Sequence, residues 1–353
     1  WDSFRLTLEE LAGAKGKGLL SRASDAERVE GEKLVRRLVI QLDGERISQT
    51  DRKADFQRAT LAYLGLFPNS PEKAKFQEGF LASENDPQVK LTHLAQWIAE
   101  APANTKLREF RASVAQKAGM TELMAAEMAA LAQLTGSREH RYLQARALYE
   151  AKKYGEALPL FVSLASVSSA SPDKWAIQSQ NLALDILAMD KSPVGLGKVI
   201  AQASSWIDST WGKSAQGDLK HEIGEMAKIR DQASFEKAVG LGQTPEALAQ
   251  FMTFCRTGFF ADKSCENARV LSIQLKDQPA LLEVLALMGP SQQGALAAEF
   301  EGAGDFAKAA DLLEKQASQS KPDLNSILKI TLLRELSGDT TQWARSIRRI
   351  TES

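Results

Sequence analysis

Cysteine, aromatic residues, long apolar runs and clustered charge of one sign are all scarce in this sequence, and each scarcity narrows what the chain can be. Aromatics are 7% of the 353 residues, whereas alanine and leucine are abundant. That balance suits helices packed closely through small side chains better than strand-rich sheets. No stretch reaches the roughly 18 to 20 apolar residues that span a bilayer. The run from Leu34 to Leu42 is broken by Arg36, Arg37 and Gln41. The net charge is −1, and no segment gathers the basic stripe that a nucleic-acid backbone requires, so nucleic acid is not an expected partner. Arg345, Arg348 and Arg349 fall in the last helical turns, where a helix dipole accounts for them at least as well as a phosphate would. The chain opens on Trp1 rather than Met. This reads as a processed or trimmed chain and leaves upstream targeting information open.

The two cysteines, Cys255 and Cys265, lie in the stretch FCRTGFFADKSC. With a turn near Gly258 to Asp262, an antiparallel helical hairpin brings them close to each other. Two readings follow, a disulfide or a pair of buried free thiols. The first favours an extracytoplasmic compartment, such as a bacterial periplasm, over the cytoplasm.

Groups for catalysis are equally sparse. His93, His140 and His221 are far apart in sequence. The string His221-Glu222-Ile223-Gly224-Glu225 starts like a zinc-protease helix but has Glu225 where a second imidazole is needed, so no metal site is expected. Gly212-Lys213-Ser214 ends like a phosphate loop, yet Ile207 stands at the leading glycine position. Gly195-Leu196-Gly197-Lys198 is followed by Val199, which has no hydroxyl for magnesium. Gly13, Gly16 and Gly18 with Lys15 and Lys17 read as a loop or helix break. The carboxylates do not single out a pair, Met120, Met124 and Met128 read as core at helical spacing, and neither cysteine has a histidine nearby in sequence. No cofactor and no enzymatic activity are expected.

What the sequence does hold is helical periodicity from end to end. Ser24-Asp25-Ala26-Glu27 is a capping-box pattern, followed by Val29, Leu34, Leu38 and Leu42 at near-helical spacing. Phe56, Leu61 and Leu64 read as a second buried face. Leu91, Leu94, Trp97 and Ile98 form a third, and Leu123, Met124, Met128 and Leu131 a fourth. Sustained alternation is absent, so no strand is expected. Ser70-Pro71, Asp86-Pro87, Ser171-Pro172, Ser192-Pro193 and Thr244-Pro245 each place a capping residue before proline at the first helical position. Pro279, Pro290 and Pro322 sit at similar breaks, and Pro68 and Pro102 follow helix ends. Of eleven prolines only Pro159 falls inside a predicted helix, where a kink or an early first turn is expected. The breaks cut the chain into helices of about 12 to 20 residues.

Two segments repeat a recognisable pattern. Residues 138–172 carry Ala145, Leu148, Tyr154, Ala157, Phe161 and a closing Pro172. Residues 290–322 carry Ala297, Phe300, Gly304, Phe306, Ala309, Leu313 and Pro322. This order of small and aromatic positions over two helices resembles the tetratricopeptide repeat, whose period is about 34 residues. A degraded third unit begins at Leu324 and supplies Gly338 and Trp343. Residues 245–276 share only the helix-turn-helix rhythm, and residues 1–136 read as helical hairpins of degenerate repeat type, with 137–353 as the repeat-like region.

The resemblance implies an all-α, right-handed superhelical solenoid of antiparallel helix hairpins, sixteen to eighteen helices in number. It also implies a scaffold or adaptor that holds a protein or peptide partner against the first helices of successive repeats, as part of a multiprotein cell-envelope assembly. Carried onto the clearest unit, it turns Tyr142, Arg146 and Tyr149 toward the partner. Their spacing of four and three puts them on one helical face, and such residue types dominate binding hot spots. The competing reading packs Tyr142 or Tyr149 against the neighbouring hairpin. The family's carboxylate clamp of lysines and asparagines is absent from both units, which argues against a chaperone-type C-terminal tail as ligand. The contrasting role is that of a non-catalytic superhelical domain of a larger enzyme, such as a bacterial cell-wall lytic enzyme. Self-association along the array is a third.

Overall fold

A computed structural model describes residues 18, 20–49, 52–166, 172–289, 292–319, 324–338, 341, 343–345 and 348. Among them are eighteen helices and no strand. The chain divides into two compact units, Trp1–Leu164 and Ala165–Ser353.

The first unit contains α1 (Asp25–Ser48), α2 (Lys53–Leu66), α3 (Lys73–Ser83), α4 (Pro87–Glu100), α5 (Thr105–Lys117), α6 (Thr121–Thr135), α7 (Arg138–Glu150) and α8 (Tyr154–Ala165), whose last residue belongs to the second unit. The second contains α9 (Lys174–Ala188), α10 (Pro193–Ile207), the single turn α11 (Thr210–Lys213), α12 (Gly217–Gly240), α13 (Pro245–Thr257), α14 (Ala261–Leu275), α15 (Gln278–Leu287), α16 (Gln293–Gly302), α17 (Phe306–Gln319) and α18 (Leu324–Leu336). Packing is sequential. In the first unit α1 lies on α2, α2 on α3, α4 on α5, α5 on α6 and α6 on α7, and Phe80 of α3 meets the rings of His93 and Trp97 of α4. In the second, α13 touches both α14 and α15, and α9 and α10 both rest on α12. Consecutive helices joined by short turns, such as α5 and α6, α6 and α7, and α13 and α14, form helical hairpins.

The helix starts follow from local chemistry. Ser24 makes the full capping box with Glu27. Asp86, Ser192 and Thr244 cap helices whose first residue is proline, where the missing N–H has no intrahelical role. Two starts differ from expectation. Ser70 uses its hydroxyl on the Glu72 N–H and on the Tyr63 phenol, and α3 begins only at Lys73. At Pro172 the helix starts two residues later than expected, with Asp173 as the cap accepting from the Ala176 N–H; Ser171 lies outside the described residues. Pro290 and Pro322 lie outside them too. Pro159 stands in the second turn of α8, exposed to solvent.

Alanine is frequent among the fully buried residues. Ala59, Ala112, Ala145, Ala157, Ala183, Ala203, Ala268 and Ala309 are fully buried, and a methyl group at a crossing lets two backbones approach. In the clearest repeat unit Ala145, Leu148, Ala157 and Phe161 are all buried as the family pattern implies, and Ala297 and Ala309 are buried in the second. The first apolar face differs from its reading. Val29 and Leu34 are 52% and 59% exposed, and the buried stripe of α1 is carried by Val39 and Leu42. At about 1.5 Å per residue, a 24-residue helix outruns its 14-residue neighbour α2.

Polar groups tie specific pairs. The buried Glu127 carboxylate of α6 accepts from Arg108 and Arg111 of α5 at 2.9 and 2.6 Å. Arg334 of α18, also buried, bonds Asp311 and Glu314 of α17. The fully buried Tyr63 donates to Glu32 at 2.8 Å, and burial is the main cause that pushes its phenol up to about 12.

Two outcomes are expected. Ala145 is fully buried, so Ala145→Leu would force a larger branched side chain into a filled site and should cost about 1–3 kcal/mol in denaturant unfolding. Folding favours the neutral Tyr63 phenol, so its contribution is intact below the ordinary pKa of 10.0 and is lost as pH rises through about 12. Ultraviolet titration should show a tyrosine that ionises late, and Tyr63→Phe should remove that step.

Candidate functional site

Tyr142, Arg146 and Tyr149 lie along α7, and the structure separates their fates. Tyr142 is buried, its ring centroid 6.2 Å from that of Phe161 in α8. Tyr149 is half-buried and meets Tyr154 and Phe161 edge-on at 5.4 and 6.5 Å. Arg146 remains in solvent and pairs with Glu150 at 3.0 Å. Tyr142 therefore packs within its own hairpin, while Arg146 and the uncovered part of Tyr149 remain at the surface of this face.

The residues considered for chemistry stay apart. His93 stacks on Phe80 and Trp97 at 4.8 and 5.8 Å, and burial is the leading cause that lowers its pKa. His140 bonds Thr135 at 3.0 Å. His221 and Glu225 are one turn apart on α12, where Glu225 binds Lys228 at 2.6 Å. Among the described residues no group of three or more potential metal ligands converges, and no helix is long and apolar enough to cross a membrane. Gly195 and Gly212 are packing glycines. A Cβ on Gly195 would collide with the Asp190 backbone, and one on Gly212 with the Trp206 carbonyl.

A concave surface does exist in the second unit. An open groove of about 570 Å3 runs along α12, floored by Leu196 and Val199 of α10 and Ala233 of α12. These three are buried and belong to the apolar cluster around Trp206 and Met226. Ala188, at the end of α9, and Ile229 also line it. Its rim is polar. Lys191 binds Glu236 at 3.1 Å and Gln232 donates to the same carboxylate at 2.8 Å. Together they hold Glu236 below the usual carboxylate range, Gln232 being the larger cause. Lys228 stands farther along, its side chain 73% exposed.

Phe259 and Phe260, in the turn between α13 and α14, form a wall of this groove. Their rings lie 4.4 Å apart, and Phe260 reaches Phe235 of α12 at 5.4 Å. Phe260 is 44% exposed and sits at φ 45° in the left-handed region, which costs a residue with a Cβ about 1–2 kcal/mol. Cys255 and Cys265 flank the turn and are joined as a disulfide with Cα atoms 4.9 Å apart. Two consecutive aromatics inside a closed turn, where polar residues are the rule, were the available signal for the site.

No family model matches the sequence, and no curated protein matches it. Among solved structures, one described as Naa15/Naa10 bound to HypK-THB superposes on 95% of this chain with 13% identity and a TM-score of 0.31. The chain spans 56% of that one. A likeness at this level transfers neither residue roles nor partners.

The backbone at Phe260 makes an inverted stability order. Gly normally destabilises relative to Ala, but at positive φ it removes the Cβ clash. Phe260→Gly should therefore be more stable than Phe260→Ala by about 1 kcal/mol in chemical denaturation; the usual order would show that the turn does not hold this conformation.

Proposed function

We propose that this chain is a non-catalytic protein-interaction scaffold, and that the groove walled by Phe259 and Phe260 receives protruding apolar side chains of a partner polypeptide. The observation that carries the reading is an aromatic pair left in contact with solvent at a strained turn, beside a preformed apolar floor. Protein interiors normally absorb such rings, and partner-contact surfaces are enriched in them. The floor of Leu196, Val199 and Ala233 offers no nucleophile or acid–base group, so its chemistry is that of apolar contact. The rim of Lys191, Lys228, Gln232 and Glu236 supplies polar groups of both signs for register. The Cys255–Cys265 bridge supports an oxidising, extracytoplasmic setting.

Affinity capture from the native cell tests this with three forms of the chain. Wild type and Arg146→Ala should recover the same partner, and Phe260→Asp should lose it by tenfold or more, since burying an unpaired carboxylate in an apolar contact is costly. Circular dichroism should be unchanged in all three. Loss with Arg146→Ala and retention with Phe260→Asp would move the contact surface to α7. Retention in both sinks the groove.

A further inference from the structure

The turn that forms the aromatic wall is held by few bonds. Helix α14 starts at Ala261 with Phe260 as its cap residue and no side-chain cap, so its first amides lack the partner that a Ser, Thr, Asn or Asp would give. Phe260 itself is in the left-handed region. On the other side stand three restraints. The Ser264 hydroxyl donates to the Phe259 carbonyl at 3.0 Å, Phe235, Phe254 and Phe259 supply ring contacts, and the Cys255–Cys265 disulfide closes the loop. Only the last is covalent.

The helices beyond the turn are secured independently. Leu248 and Phe251 of α13 and Ala268 and Leu271 of α14 are buried together in one apolar cluster that extends to α15. The half-cystines are themselves 7% and 5% exposed within it. Two buried thiols occupy nearly the same space as a cystine and are tolerated in apolar surroundings. Removing the S–S bond therefore leaves the hairpin packed and withdraws the restraint from the segment between the two sulfurs, the segment that carries Phe259 and Phe260.

We propose that the Cys255–Cys265 disulfide is a redox clamp on the groove: oxidised, it holds the Phe259–Phe260 wall against α12, and reduced, it releases that wall. This rests on the groove being the contact surface. The reductant is a dithiol. One of its thiolates attacks a cystine sulfur to give a mixed disulfide, and its second thiol displaces the protein sulfur. Two electrons and two protons pass to Cys255 and Cys265, which become thiols, and the dithiol leaves as its own disulfide. Closed, the loop presents a preorganised surface; opened, the same rings must be ordered on binding, which weakens it.

The test uses the full chain in three forms, oxidised, reduced with dithiothreitol and as the C255S/C265S double variant, with thiol alkylation to establish the state. Amide hydrogen exchange at residues 259–264 should accelerate at least tenfold in the reduced and double-variant forms while α10 and α12 keep their protection. The apolar dye 1-anilinonaphthalene-8-sulfonate probes the groove itself, with Ala188→Trp as the variant that fills it. The dye should bind the oxidised chain, lose binding in Ala188→Trp, and bind the reduced chain at least threefold more weakly. Three results overturn the clamp: unchanged exchange and dye binding on reduction, loss of protection throughout α13 and α14, or a disulfide that dithiothreitol does not reduce in the folded chain. If Ala188→Trp leaves dye binding intact, the groove reading fails on its own account. Should the double variant not fold, the dithiothreitol arm still decides.

Discussion

Within each of the two units, helices bury their apolar faces mostly against the helices next to them in the chain, and much of the structure depends on that constraint. Stability then comes from close approach between neighbours, and close approach requires small residues where the axes cross. This is why the fully buried positions are so often alanine: Ala59, Ala112, Ala145, Ala157, Ala203, Ala268 and Ala309. Large side chains such as Phe56, Tyr63, Phe80 and Phe161 fill the spaces beside those crossings. The same constraint explains why buried charge appears between adjacent helices, as with Glu127 between Arg108 and Arg111. Placed one helix apart, such a group is paired locally, which it must be once it is withdrawn from water.

Much of this was legible from residues alone, because helix starts are decided within four residues. The Ser24–Glu27 box and the Asp86-Pro87, Ser192-Pro193 and Thr244-Pro245 starts stand where capping chemistry puts them. Failures occurred where a second demand competed for the same group. Ser70 is drawn to the Tyr63 phenol from a helix earlier, and α9 takes Asp173, two residues past the expected start, as its cap. Val29 and Leu34 fit the helical period of α1 yet stay exposed, since periodicity reports which face is apolar and not how far the neighbouring helix extends to cover it.

The candidate site was less legible for a related reason. A sequence pattern places Tyr142, Arg146 and Tyr149 on one face of a helix, but a face that looks outward in one hairpin can be the face closed by the next. Phe161 meets both tyrosine rings, and the hairpin α7–α8 uses them for itself. The groove, by contrast, is assembled from residues spread from Ala188 to Phe260. No local spacing relates these residues, so only the packing of α9, α10 and α12 with the α13–α14 turn brings them together. Its one local mark is the aromatic pair between two cysteines.

A fold held by neighbour contacts also decides what a covalent cross-link can do in it. In a compact core a disulfide between distant segments would restrain the whole domain. Here the bridge spans ten residues and lies within one hairpin, so its entropic effect is confined to a short loop. The hairpin's own cluster, from Leu248 to Leu271, already supplies the burial that keeps α13 against α14. A bridge that is redundant for pairing two helices, and closes only the turn between them, is most consequential for what that turn displays. The turn displays two phenylalanines against the floor of a groove, one of them in a backbone conformation that its Cβ disfavours. Cross-link, strain and exposed aromatic surface thus coincide in a single turn, which is what a preorganised contact surface requires and hairpin packing alone does not.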